Sequence, residues 1–344
     1  MGIMFHSGGL LTTVQDAGRR GYQRYGLGVS GAVDVHSYVY ANILVGNIYN
    51  EAVLEATLVG PEIEFTSDSV IAVTGGDLSP AINGKKCEMY RALAVNKGDV
   101  LSFGEVKSGC RAYISFAGGL AITPIMGSRS TYIKAHLGGY EGRKLQKGDE
   151  IAFRKPYARP KNIEKRFMEP QKFGGEYTVR VLMGPQEESF TDAGIETFLN
   201  NPYSVTNNFD RMGYRLTGPK ITHVTDGNII TDGITFGAIQ VPDTGEPIIM
   251  LSDRQTTGGY AKIASVINVD MPFVAQCKAG DKIHFIKTDI ETAQNDFCAQ
   301  IEKYQRLKEY FDADFAAEPV KKGVKKYEVV LSGNTYNVTV ERVE

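Results

Sequence analysis

Apolar residues fall mostly in short runs with turn-forming pairs between them. In the first half these runs predict strands at 53–58, 63–65, 70–74, 93–95, 100–103 and 112–116. Gly60-Pro61, Gly75-Gly76, Asn83-Gly84, Lys97-Gly98 and Ser108-Gly109 punctuate them. Asn83-Gly84 carries the strongest hairpin signal, because both central positions of a type I′ turn need positive φ. The second half predicts strands at 177–183, 203–205, 214–216, 229–230, 238–241, 247–251 and 263–269. Many short strands with turns between them suit a barrel or sandwich rather than βαβ repeats. Three helices interrupt them. Asp34 is placed to cap one running to about residue 45, with Tyr38, Ala41, Leu44 and Val45 on its apolar face. A second is predicted over 187–200, through Phe190, Ile195, Phe198 and Leu199. A third runs from 289 to about 315, capped by Thr288 or Asp289. Its stripe of Ile290, Ala293, Phe297, Ile301, Tyr304 and Leu307 is expected to pack on a core.

A short pattern recurs. Lys97-Gly98-Asp99, Lys147-Gly148-Asp149 and Ala279-Gly280-Asp281 each precede an alternating strand that ends in Phe103, Phe153 or Phe285. This suggests two related β-rich halves. The stretch 154–172 carries Pro156, Pro160 and Pro170 among many basic residues, and reads as a solvated linker. The expected organisation is a first β-rich domain over 1–155, a linker over 156–172, a second β-rich domain with the long helix over 173–317, and a connector with a β-hairpin tail over 318–344. In that tail, Lys321 to Lys326 form a charged connector, and Ser332-Gly333-Asn334 would be the turn.

Composition narrows the function class. At 344 residues the chain can hold two cores, and 42% hydrophobic with 23% charged residues is ordinary for a globular protein. The net charge of −2 speaks against a nucleic-acid or membrane-surface protein. Cys87, Cys110, Cys277 and Cys298 form no C-x-x-C pair, and the start has no secretory pattern. No apolar run reaches membrane-spanning length. A cytoplasmic location with reduced, mostly buried thiols is expected.

The chemistry concentrates in polar clusters beside glycine. Arg254-Gln255-Thr256-Thr257-Gly258-Gly259-Tyr260 sets a guanidinium, a carboxamide, two hydroxyls, a phenol and two glycines between two apolar strands. Gln15 to Arg19, Ser30 to Asp34, Gly127 to Thr131 and Asp210 to Tyr214 repeat that character. Each arginine taken singly suits a surface ion pair. Five clusters together suit an anionic or amide-bearing ligand held by guanidinium and backbone N–H donors. Gly26, Gly28 and Gly31 match G-x-G-x-x-G, but the residues before them are polar where a dinucleotide site needs a buried strand. His6, His36, His136, His223 and His284 are scattered, so no metal site is predicted.

The stretches Thr12 to Arg19, Gly28 to Asp34, Gly127 to Thr131, Asp210 to Leu216 and Asp253 to Phe285 resemble the biotin-dependent carboxyltransferase family, also labelled allophanate hydrolase subunit 2. The resemblance runs from about residue 8 to residue 287 and implies a mainly β fold of two tandem cyclophilin-like barrels. For stand-alone bacterial members it implies the C-type component of a 5-oxoprolinase. Such a component would work with a B-type (Kip-inhibitor-like) chain and an A-type chain, opening 5-oxo-L-proline to L-glutamate with ATP used by the assembled complex. The alternatives are the carboxyltransferase component of a biotin-dependent carboxylase acting on urea or a related amide, and a regulatory Kip-antagonist-like binding protein. The chain holds no Met-Lys-Met biotinylation motif, so no covalently bound biotin is expected in it, while the tail is similar to the strands that open biotinyl carrier domains.

Either reaction requires control of charge on an amide oxygen, where one preorganised donor can be worth roughly 3 kcal/mol. The expected catalytic residues are Arg254, Arg211 and Tyr260. Gln255, Thr256 and Thr257 would orient the amide. Gly258 and Gly259 would present backbone donors, and Tyr214 would help close the pocket. Arg129 and Ser130 would face a partner chain or a second ligand, and Asp16 and Ser30 are further expected substrate-binding residues.

Overall fold

The computed structural model describes residues 1–155 and 159–313, together with the backbone of the strands Lys325–Leu331 and Asn334–Val340. The fold is mainly β with four α-helices among the described residues: α1 (Val35–Leu44), α2 (Asp192–Asn200), α3 (Met271–Gln276) and α4 (Ile290–Asp312). Residues Met1–Phe311 form one compact unit.

The strands of the first half occupy two sheets, one of six strands and one of five. In the larger, Gly2–Ser7 pairs with both Glu150–Ala152 and Glu62–Phe65. In the smaller, the nine-residue strands Ser69–Asp77 and Ser108–Phe116 pair antiparallel. Ile3, Phe5, Phe65, Ile114 and Phe116 fill the core between them. The second half closes a seven-stranded barrel. Closure comes from parallel pairing of Glu176–Met183 with Lys282–Lys287, in the register Tyr177↔Ile283 and Val179↔Phe285. Strand alternation sends Tyr214, Leu216, Ile239, Ile249 and Ile263 into that barrel's core.

The recurring Gly-Asp pattern is a turn built three times over. Gly98, Gly148 and Gly280 adopt φ of +89°, +89° and +90°, a region that glycine enters without Cβ strain. In each, the aspartate carboxylate accepts from the backbone N–H three residues earlier: Asn96 at 2.7 Å, Gln146 at 2.8 Å and Lys278 at 3.0 Å. The glycine N–H donates to a carbonyl of a neighbouring strand, from Phe65, Phe5 or Val205. The same residue's N–H in turn donates to the aspartate carbonyl. One local solution thus starts a strand in both halves. The Asn83-Gly84 hairpin also forms as its sequence requires, with φ of +52° and +74° between Ala81–Ile82 and Lys85–Lys86.

Helix starts follow their caps. Asp34 Oδ1 accepts from Ser37 N at 2.9 Å, and Asp289 Oδ1 accepts from Thr292 N at 2.8 Å. The helix predicted over 187–200 begins later than its apolar spacing suggests. A 3-10 turn covers Glu187–Ser189, Phe190 is extended, and Thr191 then caps α2 by accepting from Gly194 N at 3.0 Å. The apolar stripe of α4 also departs from expectation. Tyr304 and Phe311 are buried, whereas Ile290, Phe297 and Ile301 are 63%, 44% and 37% exposed. The C-terminal part of α4 packs on α1, where Tyr304 OH and His36 Nδ1 lie 2.9 Å apart. Its N-terminal part overhangs a cleft.

Part of the expected linker is packed. Ile163 is buried, and so is Arg166, which donates to the carbonyls of Ile43 and Phe311 at 2.9 and 3.1 Å. A basic residue here satisfies helix-end carbonyls rather than solvent. Pro156 lies outside the described residues. All four cysteines are free; Cys110 and Cys277 are buried, Cys87 half-buried and Cys298 exposed.

The second unit, Asp312–Glu344, contains two antiparallel strands in the register Lys325↔Val340 to Leu331↔Asn334, as the alternation predicts. Ser332-Gly333, and Lys321 to Val324 of the charged connector, lie outside the described residues.

Candidate active site

The segment from Arg254 to Tyr260 leaves the barrel strand Ile248–Met250 and becomes a strand itself, Thr257–Tyr260. It pairs antiparallel with Asn228–Gly233 in the register Thr257↔Gly233, Gly258↔Asp232 and Tyr260↔Asn228. This two-stranded ribbon stands over the outer face of the barrel. Because side chains alternate, the outward residues Gly213, Arg215, Gln240 and Ile248 face the ribbon while Tyr214 and Ile239 point inward. Between ribbon and barrel lies a cleft of about 490 Å³, reached by Gln255, Tyr260, Gln240, Arg215, Asn207 and Asn208.

Two carboxamides define its chemistry. Gln255 is half-buried, and its Oε1 has no hydrogen-bond partner. Gln240 is buried, with its Nε2 only 3.5 Å from Tyr260 O. The unfilled acceptor is shielded from solvent and the donor is weakly used; turned into the cleft, the pair would match the N–H and C=O of a small amide. Gly258 sits between them. A Cβ there would lie 2.9 Å from Gln240 Nε2 and 2.7 Å from Ile234 Cδ1, so its bare backbone lets the carboxamides approach. The Tyr260 side chain is exposed at the cleft edge. Thr256 accepts from Ile234 N through its carbonyl at 3.0 Å, Thr257 is exposed, and Gly259 continues the ribbon strand.

Arg254 points elsewhere. It is 8% exposed, donates from Nε to Ile234 O at 3.0 Å and from Nη1 to Leu251 O at 3.1 Å, and lies 5.8 Å from the Phe236 ring centroid. It reaches a different cleft, beneath α4. Burial, with a smaller contribution from Arg20, lowers its pKa to about 10 against the opposing pull of Asp253. The heptapeptide therefore serves two clefts.

Arg211 has a third position. It is buried and donates to Asp253 through both Nε and Nη2 at 3.0 and 3.1 Å, to Gly31 O at 2.7 Å, and to Glu55. Burial by itself would lower its pKa, but Asp253 and Glu55 hold it above the ordinary value. Its guanidinium ties the barrel to the first half and lines neither cleft. Tyr214, expected at the pocket rim, is also buried; its OH meets the Arg111 guanidinium, and burial raises its pKa against the influence of Arg111.

The first-half clusters meet the same junction. Asp16 accepts from Ser128 Oγ at 2.7 Å, Ser130 Oγ at 2.5 Å, Gly18 N at 2.9 Å and Arg129 N at 2.5 Å. Its carboxylate is thereby filled, and it holds the 127–131 loop. Ser30 Oγ lies 2.7 Å from Thr131 O and 2.8 Å from Asp253 Oδ1. Arg129 is half-buried, with Nε donating to Ile122 O at 3.0 Å. Asp16, Ser30 and Ser130 are thus internal ties rather than surface groups.

Sequence reasoning missed several partners. Glu55 is a lone carboxylate in the buried strand Val53–Thr57, a signal that was present in the sequence. Gln276 is fully used between the halves. Its Oε1 accepts from Cys110 N and Arg111 N at 3.0 Å each, and its Nε2 donates to Asp34 Oδ2 at 2.8 Å and Arg111 O at 2.9 Å. Gln240 and Arg20 carried no recognisable pattern.

Comparison with known proteins agrees with this architecture. The family described as carboxyltransferase domain, subdomain A and B, matches residues 25–287. The C component of the 5-oxoprolinase of Escherichia coli (strain K12) is 36% identical over 285 residues, covering 83% of this chain and 91% of that protein. A urea amidolyase of Lachancea kluyveri is 35% identical over 311 residues, covering 84% of this chain but 17% of that protein. The solved urea carboxylase of Kluyveromyces lactis superposes with a TM-score of 0.82 at 29% identity, covering 99% of this chain and 32% of that one. On this match the chain belongs to the family of carboxyltransferase domains with subdomains A and B.

Proposed function

We propose that this chain is the C-type component of an ATP-dependent 5-oxoprolinase, which opens 5-oxo-L-proline to L-glutamate together with B- and A-type chains. The observation that carries the proposal is the similarity to the C component of the E. coli 5-oxoprolinase, which extends over 91% of that protein's length. The cleft between ribbon and barrel suits the chemistry. With its side chain rotated into the cleft, Gln255 Oε1 would accept the lactam N–H, and Gln240 Nε2 would donate to the lactam oxygen, with Tyr260 at the edge. In the reaction the lactam C–N bond breaks, water supplies OH to the carbonyl carbon, and the nitrogen takes the proton. A donor aimed at the carbonyl oxygen lowers the barrier because negative charge grows there. The partner chains and ATP use belong to the assembled complex.

A second reading is supported by the tail. The K. lactis urea carboxylase structure covers 99% of the chain, beyond the family match that ends at residue 287. On that reading the same amide cleft would receive urea or a related amide for carboxyl transfer. The test is glutamate release from 5-oxo-L-proline and ATP by this chain mixed with B- and A-type chains, each omitted in turn. Release that needs all three is expected. No release, with bicarbonate-dependent ATP turnover on adding a biotin carboxylase and its carrier, would replace the proposal with carboxyl transfer.

A further inference from the structure

The cleft under the N-terminal part of α4 holds about 560 Å³ and is entered by Arg254 from the ribbon side and Arg20 from the first half. Among the described residues neither guanidinium forms an ion pair with a carboxylate. Arg254 is bonded only to two backbone carbonyls, although it is 8% exposed. Its acidic neighbour in sequence, Asp253, is already committed to Arg211 and Ser30. A buried cation beside a second cation, with its nearby carboxylate Asp253 bonded elsewhere, is an unfavourable arrangement that a ligand of opposite charge would relieve. Burial and Arg20 lower the Arg254 pKa, as expected for such a pair.

The remaining walls describe the rest of the ligand. Ile234, Phe236 and Phe297 are apolar, and Asn268 and Gln294 add neutral donors and acceptors. A neighbouring hollow of about 340 Å³ shares Arg20, Phe236, Asn268 and Phe297 with this cleft, so the two run together. Among the described residues no lysine lines either hollow. Two planar guanidiniums and an apolar chamber suit one carboxylate on a compact body better than a polyphosphate. The exposed stripe of Ile290, Phe297 and Ile301 on α4 then has a role as the roof of this chamber.

We propose that Arg20 and Arg254 form a binding site for a small carboxylate with a compact apolar body, in the cleft beneath α4. The site is separate from the amide cleft and stands whichever amide reaction the protein catalyses. The experiment is an NMR titration of the arginine Nε–H signals of the full chain with three probes: cyclopentanecarboxylate, the uncharged cyclopentanecarboxamide, and inorganic phosphate. Saturable binding of the carboxylate is expected, with the Arg254 signal among those that move. The carboxamide and phosphate should each bind at least tenfold more weakly. Arg20→Gln should weaken carboxylate binding tenfold or more without changing the melting temperature, since Arg20 is exposed and among the described residues makes no side-chain hydrogen bond or ion pair. Equal binding of carboxylate and carboxamide, tighter binding of phosphate, or an Arg20→Gln protein that binds as well as the wild type would each overturn the assignment.

Discussion

Replacing Arg211 by Met separates a structural arginine from a catalytic one. The side chain is 4% exposed, and its guanidinium meets Asp253 twice, Glu55 once and Gly31 O once. Methionine fills much of the volume but supplies no donor. Asp253 would keep Ser30 Oγ at 2.8 Å. Glu55 would keep Val33 N at 2.9 Å and Arg111 Nε at 3.8 Å. Two buried carboxylates would thus lose their main counter-charge. Removing one partner of a buried ion pair costs about 3–5 kcal/mol. Against a total stability of about 5–15 kcal/mol, that is a large loss. Urea unfolding followed by circular dichroism should show the midpoint falling with little change in slope. Adding Asp253→Asn to Arg211→Met should recover part of the loss, because one unpaired charge is removed. A loss below about 1 kcal/mol, the scale of an exposed pair, would refute the reasoning. So would unchanged stability with turnover of the assembled complex abolished, the signature of a catalytic arginine.

Two further outcomes follow from the geometry. Gly258→Ala places a Cβ within 2.9 Å of Gln240 Nε2 and 2.7 Å of Ile234 Cδ1, so the carboxamide must move. Turnover of the complex should fall at least tenfold while stability changes by about 1–3 kcal/mol, and full turnover would remove Gln240 from the proposed site. His36 is held neutral, its pKa lowered from 6.5 to about 4 by burial and then by Lys303. The unfolded chain therefore binds a proton that the folded chain does not between those values, and stability should fall as pH drops from 6.5 toward 4. The contribution is up to about 3 kcal/mol. Melting curves of His36→Phe should show a weaker dependence over that window, and an unchanged dependence would exclude His36 as its source.

Much of the local structure was legible because it depends on a few neighbouring residues. The Gly-Asp turn needs positive φ at one residue and one carboxylate three residues from the N–H it accepts, so the sequence pattern and its three copies correspond directly. The same holds for Asn83-Gly84 and for the aspartate caps of α1 and α4. Alternation of apolar residues placed most strands, because a slip of one residue would turn a buried face outward. Local signals failed where a distant partner competes with them. The apolar spacing of 187–200 ignores the cap at Thr191, and the stripe on α4 says nothing about which of its turns finds a core.

The sequence alone determined that this is a β-rich chain with polar clusters beside its glycines, and which residue types those clusters hold. What each arginine does was decided only by tertiary structure. Arg211, Arg254 and Arg20 carry the same group in similar surroundings along the chain. Arg211 became a buried tie because Glu55, 156 residues away, was folded against it. Arg254 was left with two carbonyls and an open cleft because, among the described residues, no carboxylate bonds to it and the adjacent Asp253 accepts from Arg211 instead. Tyr214, between Gly213 and Arg215 in sequence, went to the core because strand alternation turned it inward. A guanidinium's role depends on the charges and the solvent around it, and those are brought together from distant parts of the chain.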